Sequence, residues 1–259
     1  MTIVASVKVQ DGIVLGADSM TQLWGTDAAG NAGLVKAYDH AQKLFQLGEH
    51  VGVTAYGIGN IGPRSIGSFI GELSRGLAQS GRRLVVKEGA ERLFSTLREA
   101  YTTAFGALPQ QQQPSLGILL GGYSTDEPLA EEWEFVLPGS TAPQPVRARE
   151  QFGAAWRGVA LPFNRLFWGF EPQLATDLQQ AGLKQDVIQV LSSKYALPIL
   201  FDGMPVQEAI DFVAFILETT INAAKFAVGP PSCGAPIWIA VVTRDAGFKW
   251  IKRHEFQLT

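Results

Sequence analysis

Strand-like segments in this chain come in adjacent pairs, and helix-like segments come in two consecutive clusters; that order restricts the fold more than any single motif. Residues Thr2 to Val9 alternate with a period of two, Asp11-Gly12 reads as a hairpin turn, and "IVLGAD" reads as the return strand ending at Asp18. A polar stretch from Thr21 to Asn31 reads as a loop, after which "AQKLFQLG" and "HVGVTAYG" read as two strands joined at Gly48-Glu49. Pro63 suits a first helical position, and Ile66, Phe69, Ile70, Leu73 and Leu77 form an apolar stripe behind it. A second helix is expected over Ala90 to Phe105, then strands at "SLGILLGGYS", "EEWEFVLPG" and "FGAAWRGVA". Helices follow over Phe163 to Lys194, broken at Pro172, and over Val206 to Lys225, before two closing strands around Asp245-Ala-Gly. Hairpins followed by helix clusters point to antiparallel sheets covered by helices, not to a βαβ parallel sheet.

The 259 residues are 46% hydrophobic and 17% charged, enough to bury the core of one large domain, and no composition shift or linker divides them. A net charge of -3 offers no basic footprint, so no nucleic-acid partner is expected. The lone cysteine, Cys233, rules out an internal disulfide and suits a reducing compartment. "MTIVASVKVQDG" lacks a basic region followed by an apolar core, so it does not read as a secretory signal, and no window reaches the roughly 20 apolar residues of a membrane span. A cytoplasmic protein is expected.

Gly57-x-Gly59-x-x-Gly62 matches the pattern of a dinucleotide-binding turn. Its context does not: a Rossmann unit needs a parallel strand after the helix and an acid about 20 positions beyond the motif. Here only "LVV" (Leu84 to Val86) precedes the next helix, and the strands before the motif pair as hairpins.

The head of the first strand offers other chemistry. Methionine before threonine is expected to be trimmed, which exposes the amine and hydroxyl of Thr2. A terminal threonine is a self-contained nucleophile, because an α-amine of pKa about 8 can take the hydroxyl proton directly or through a water. That needs no histidine, and His40, His50 and His254 lie in no triad context.

"TIVASVKVQDGIVLGADS" resembles the opening of proteasome β-type subunits, which belong to the N-terminal nucleophile hydrolases. In that family an aspartate in an "ADS" segment lies sixteen positions after the nucleophile, as Asp18 does after Thr2. Lys43-Leu44-Phe45 resembles the segment of the family's catalytic lysine, and the oxyanion glycine fourteen residues later falls on Gly57. "RRLVVKEGAERLF" resembles the link between the first two helices, and Ser232-Cys233-Gly234 resembles a Ser-Gly-Gly segment whose serine bonds around the terminal amine. The likeness is best over residues 2–57 and 115–124 and poor over 139–205.

The resemblance implies a single domain over 1–259 with an α+β four-layer αββα sandwich of antiparallel sheets, enlarged by helices at about 163–204. It implies a threonine-type peptidase or amide hydrolase of a divergent bacterial type, assembled as a homo-oligomeric ring, acting on peptide or protein with no metal or organic cofactor. Thr2 would be nucleophile and Lys43 the nearby positive charge. Asp18 would hold that lysine, Gly57 N–H would bind the oxyanion, and Ser232 would support the amine. Without the resemblance, Thr2 is a strand threonine, Lys43 a solvated lysine, Asp18 a turn residue and Ser232 a loop serine. Cys233 reads as a small packed residue, and Phe163, Phe167, Trp168 and Phe170 as core or subunit contact.

The chain departs from the family pattern at three places. The family aspartate three residues before the Ser-Gly-Gly serine is Gly229 here, "AWRGVALP" has no clear Ser-Gly-Ser counterpart, and Asp18 and Lys43 stand 25 apart, nine more than usual. Two rivals keep the fold: a catalytically inactive ring or scaffold subunit, and a transpeptidase or small-molecule amidase using the same Thr2. Ala41, Phe45 and Ala55 fall where the family lines its specificity pocket.

Overall fold

The computed structural model describes residues 2–26, 30, 32–80 and 84–255. The chain is a mixed α+β protein, with six α-helices among the described residues and antiparallel pairing in every sheet. Strands β1 (Ile3–Val9) and β2 (Gly12–Ala17) form the expected hairpin. Val9 pairs with Gly12, so the turn residues are Gln10 and Asp11 rather than Asp11 and Gly12; Gly12 joins the ladder, beneath Val206.

Thr21 to Asn31 was expected to be a loop, yet β3 (Thr21–Thr26) pairs with β4 (Ala32–Tyr38). This hairpin forms its own two-stranded sheet, with Leu23, Trp24, Val35 and Tyr38 exposed. A strand with no buried face shows no apolar alternation, which is why periodicity missed it. Part of the loop reading, residues 27–29 and 31, lies outside the described residues.

Strands β5 (Leu44–Gln46) and β6 (Val51–Gly57) pair as expected. The next helix starts later than Pro63 suggested. Gly62 and Pro63 turn a small hairpin, β7 (Asn60–Ile61) with β8 (Arg64–Ser65), and α1 (Ile66–Ser80) follows. Its stripe is buried as expected at Ile66, Phe69, Ile70 and Leu77. Helix α2 (Val86–Phe105) absorbs the Val85-Val86 end of "LVV" as cap and first residue, so no strand lies among the described residues between the helices.

Beyond a 3-10 turn at Gln110–Gln112 come β9 (Leu116–Gly122), β10 (Glu131–Leu137), β11 (Gln144–Pro145) and β12 (Gly153–Gly158). The helical region resolves into α3 (Leu161–Trp168), α4 (Pro172–Gln180) and α5 (Gln185–Tyr195), with Pro172 opening α4, where its missing N–H is harmless. Helix α6 (Val206–Phe226) and strands β13 (Trp238–Thr243) and β14 (Gly247–Lys252) complete the chain.

One sheet runs β12-β1-β2-β13-β14 and the other β11-β10-β9-β6-β5. Alternation along β1 separates two cores. Ile3, Ala5, Val7 and Val9 meet Ile210, Val213 and Leu217 of α6, whereas Val4 joins Leu15, Leu44 and Tyr123 between the sheets. Helices α1 and α2 cover the second sheet through Phe69, Ile70, Leu93 and Leu97 against Val53, Ile118 and Leu120. Phe163 and Phe167 lie edge-on to Trp156 in the core, whereas Trp168 is exposed. Among the described residues no helix is long and apolar enough to cross a membrane.

Candidate active site

Thr2 is buried at the head of β1, where both neighbouring strands grip it. On one side Val159 N–H donates to the Thr2 carbonyl at 2.8 Å. On the other, Asp18 N–H donates to the Ile3 carbonyl at 3.1 Å and Ile3 N–H donates to Asp18 Oδ1 at 3.2 Å. Side chains of even number on β1 face the second sheet: Val4 lies in the core between the sheets, and Ser6 donates to Glu132 of β10 at 2.6 Å. Thr2 shares that parity, so it faces the sheet that carries Lys43 and Gly57.

The Asp18 carboxylate is fully buried and accepts four hydrogen bonds. Oδ1 takes Ile3 N–H and the Lys43 ammonium (2.8 Å); Oδ2 takes the N–H groups of Met20 (3.2 Å) and Gly234 (3.1 Å). One carboxylate oxygen therefore bridges the Ile3 amide, next to Thr2, and the side chain of Lys43, which stands 25 residues beyond Asp18, past the β3–β4 hairpin. Lys43 also donates to the Met20 carbonyl. A buried charge needs such partners. Burial is the largest influence on both groups: it pushes the Asp18 carboxyl up and the Lys43 ammonium down, and their mutual attraction opposes it.

Gly57 ends β6 with φ +91°, and a Cβ there would overlap the Ser115 carbonyl oxygen, so the position demands glycine. Amide directions alternate along a strand. Ile58 N–H donates to Ser115 O (3.0 Å) on the β9 side, whereas Ala55 N–H donates to Lys43 O (2.9 Å) on the β5 side. Gly57 N–H therefore faces the β5 side, where the partner strand is leaving: the Ala41 N–H opposite goes to Ser19 O (2.8 Å). Because β6 pairs antiparallel with both β5 and β9, no βαβ unit surrounds the glycine motif.

Ser232 is half-buried, and its hydroxyl bonds the Cys233 thiol, which burial pushes up to about 12. Cys233 packs in the core beside the Asp18–Lys43 pair, as a small residue. Gly229 has φ +95° in the preceding loop. Among the described residues, two buried polar atoms at this end of the sheets lack hydrogen-bond partners, Ser19 Oγ and Trp238 Nε1. No group of three or more His, Cys, Asp or Glu among the described residues could hold a metal ion.

The structure thus brings Thr2, Asp18, Lys43 and the strand ending in Gly57 together, with Ser232 at the periphery. Sequence reasoning passed over Gly158 and Val159, in a segment it judged to have no counterpart. Gly158 pairs with Ile3 at φ +88°, and a Cβ there would overlap the Thr2 carbonyl oxygen. The only available signal was a glycine closing a strand, in "AWRGV". Gly234, whose amide reaches Asp18 across 216 residues, lies in the Ser232-Cys233-Gly234 segment, where only the serine is expected to have a role. No protein-family model matches this sequence, and no curated protein is significantly similar to it.

Proposed function

We propose that the chain is a threonine-type N-terminal nucleophile hydrolase of the proteasome β-subunit kind, with a four-layer αββα sandwich, cleaving peptide or amide bonds. The observation that carries this reading is the shared Asp18 oxygen, which sets Lys43 beside the residue that would be the nucleophile. Two outer helical layers over two facing sheets support the fold assignment.

The mechanism requires cleavage of the Met1–Thr2 bond. The freed Thr2 amine then takes the Oγ1 proton, directly or through a water, while Oγ1 attacks the substrate carbonyl carbon. The carbonyl π electrons move onto oxygen, and Gly57 N–H donates to the resulting oxyanion; one such donor contributes roughly 100- to 1,000-fold in rate. Lys43, positive and fixed by Asp18, lowers the cost of developing negative charge at Oγ1. Collapse of the intermediate breaks the C–N bond, and the Thr2 ammonium protonates the departing nitrogen. Water then hydrolyses the Thr2 ester, with the amine again as base. A homo-oligomeric ring is part of the same proposal, by resemblance.

A second reading, an inactive scaffold subunit, draws on Gly229 in place of the family aspartate and on a Ser232 hydroxyl engaged with Cys233. Intact-mass measurement followed by incubation with a peptide boronate or epoxyketone separates the two. The hydrolase reading expects a chain beginning at Thr2 that is modified there; a trimmed, folded chain that never reacts supports the scaffold.

A further inference from the structure

Thr2 has two flanks, and the proposed chemistry uses only the one with Lys43. On the other lies β12, whose register places Val159 opposite Thr2 and Arg157 opposite Val4. Directly paired residues point to the same face, so Arg157 shares the inward face of Val4 and Thr2. It is the diagonal neighbour of Thr2, with Cα atoms about 7–8 Å apart, within reach of a long side chain. Its guanidinium is fixed: Nε and Nη2 donate to Glu134 at 2.8 and 3.0 Å, and Nη1 donates to the Trp156 carbonyl at 2.9 Å. Each Nη keeps one further N–H. The Arg157 side chain is about one-third exposed, so it is not sealed in the core.

Tyr56, the residue before Gly57, packs against the same core between the sheets and interacts electrostatically with both Arg157 and Glu134. Its ring covers Gly117, the residue opposite it on β9, where any Cβ would strike the ring. The phenol is half-buried and has no hydrogen-bond partner among the described residues. Two polar arrangements therefore flank the head of β1: Asp18–Lys43 on one side, and Glu134–Arg157 with a free phenol on the other.

We propose that Arg157 and Tyr56 are positioning residues that bind the leaving half of the substrate, by hydrogen bonds to a peptide carbonyl beyond the scissile bond. This rests on the hydrolase reading above. The oxyanion turns toward Gly57 N–H on the Lys43 flank, and the acyl half takes the edge of β6 that opens where β5 ends. The leaving half then projects to the opposite flank, where Arg157 stands. Glu134 cancels the charge of Arg157, so the pair suits a neutral carbonyl; a carboxylate would meet repulsion from Glu134.

The test uses two substrates with one acyl half, chosen from a quenched peptide library cleaved by the wild type. One carries a peptide leaving group and the other a simple anilide, which has no carbonyl beyond the scissile bond. Tyr56→Phe keeps the ring over Gly117 and should lower kcat/KM on the peptide by about 5- to 10-fold, with the anilide unchanged within about twofold. Arg157→Gln combined with Glu134→Gln removes both charges together and should show the same selective loss. Equal losses on both substrates, or no loss on either, overturn the assignment while the hydrolase reading stands. A wild type that cleaves neither and is not labelled at Thr2 overturns the hydrolase reading, and this inference with it.

Discussion

Replacing Lys43 with methionine removes the charge but keeps most of the volume, and it leaves the Asp18 carboxylate buried without its counter-ion. Breaking a buried pair from one side costs about 3–5 kcal/mol. Three backbone amides still donate to Asp18, which places this case near the lower end, about 3 kcal/mol. For a domain near this size that is a fall in Tm of about 6–12 °C. The penalty also depends on pH in a definite direction. Without Lys43 the folded-state carboxyl rises further above its unfolded value of about 3.9, since desolvation is no longer opposed by a cation. A group raised on folding contributes its full stability below the unfolded pKa and loses it as pH rises through the folded pKa. The gap between wild type and variant should therefore be widest at neutral and alkaline pH and narrow on acidification. Urea denaturation at a series of pH values measures this, and mass spectrometry after boronate treatment shows whether Thr2 labelling is lost. A loss under about 1 kcal/mol, constant from pH 5 to 8, would refute the claim that Lys43 is the working partner of a buried charge.

Three further outcomes are expected. Gly57→Ala forces a side chain onto a φ of +91° and into Ser115, costing at least about 1–3 kcal/mol from backbone strain, and displacement of the amide should lower turnover about 100-fold or more. Burial raises Cys233, Tyr56 and Tyr123 each to about 12. Their contribution is complete below the unfolded thiol and phenol values of about 8.5 and 10, so the part of the urea midpoint set by these three groups should hold to about pH 8.5 and then fall toward pH 12. Tyr123→Phe should flatten part of that descent. Phe163→Ala empties the ring cluster against Trp156, Phe167 and Phe215 and should cost about 3–5 kcal/mol in calorimetry, with Thr2 labelling retained at temperatures where the variant stays folded.

Where a feature was legible in the sequence, it was local. Period-two alternation marked β1 and β2, a helical stripe marked α1 and α6, and Pro172 marked the start of α4, because burial on one face imposes a repeat on neighbouring residues. The spacing from Thr2 to Asp18 is likewise the length of one hairpin, which the chain itself sets. The β3–β4 hairpin escaped notice because both of its faces meet solvent, so no repeat was written into it.

Everything that depended on which strands become neighbours needed the tertiary structure. Gly234 N–H on Asp18, Val159 N–H on the Thr2 carbonyl, and Arg157 opposite Val4 and bonded to Glu134 join residues that periodicity treats as unrelated. The order β12-β1-β2-β13-β14 is chosen by the packing of whole faces against α6 and the second sheet, a sum over many weak contacts that no short window contains. The residue types at the head of β1 are therefore a property of the sequence. Their convergence around one buried carboxylate is a property of the packed sheets, because a charge can be held there only after Lys43 and Gly234, distant in the chain, have joined the amides of Ile3 and Met20.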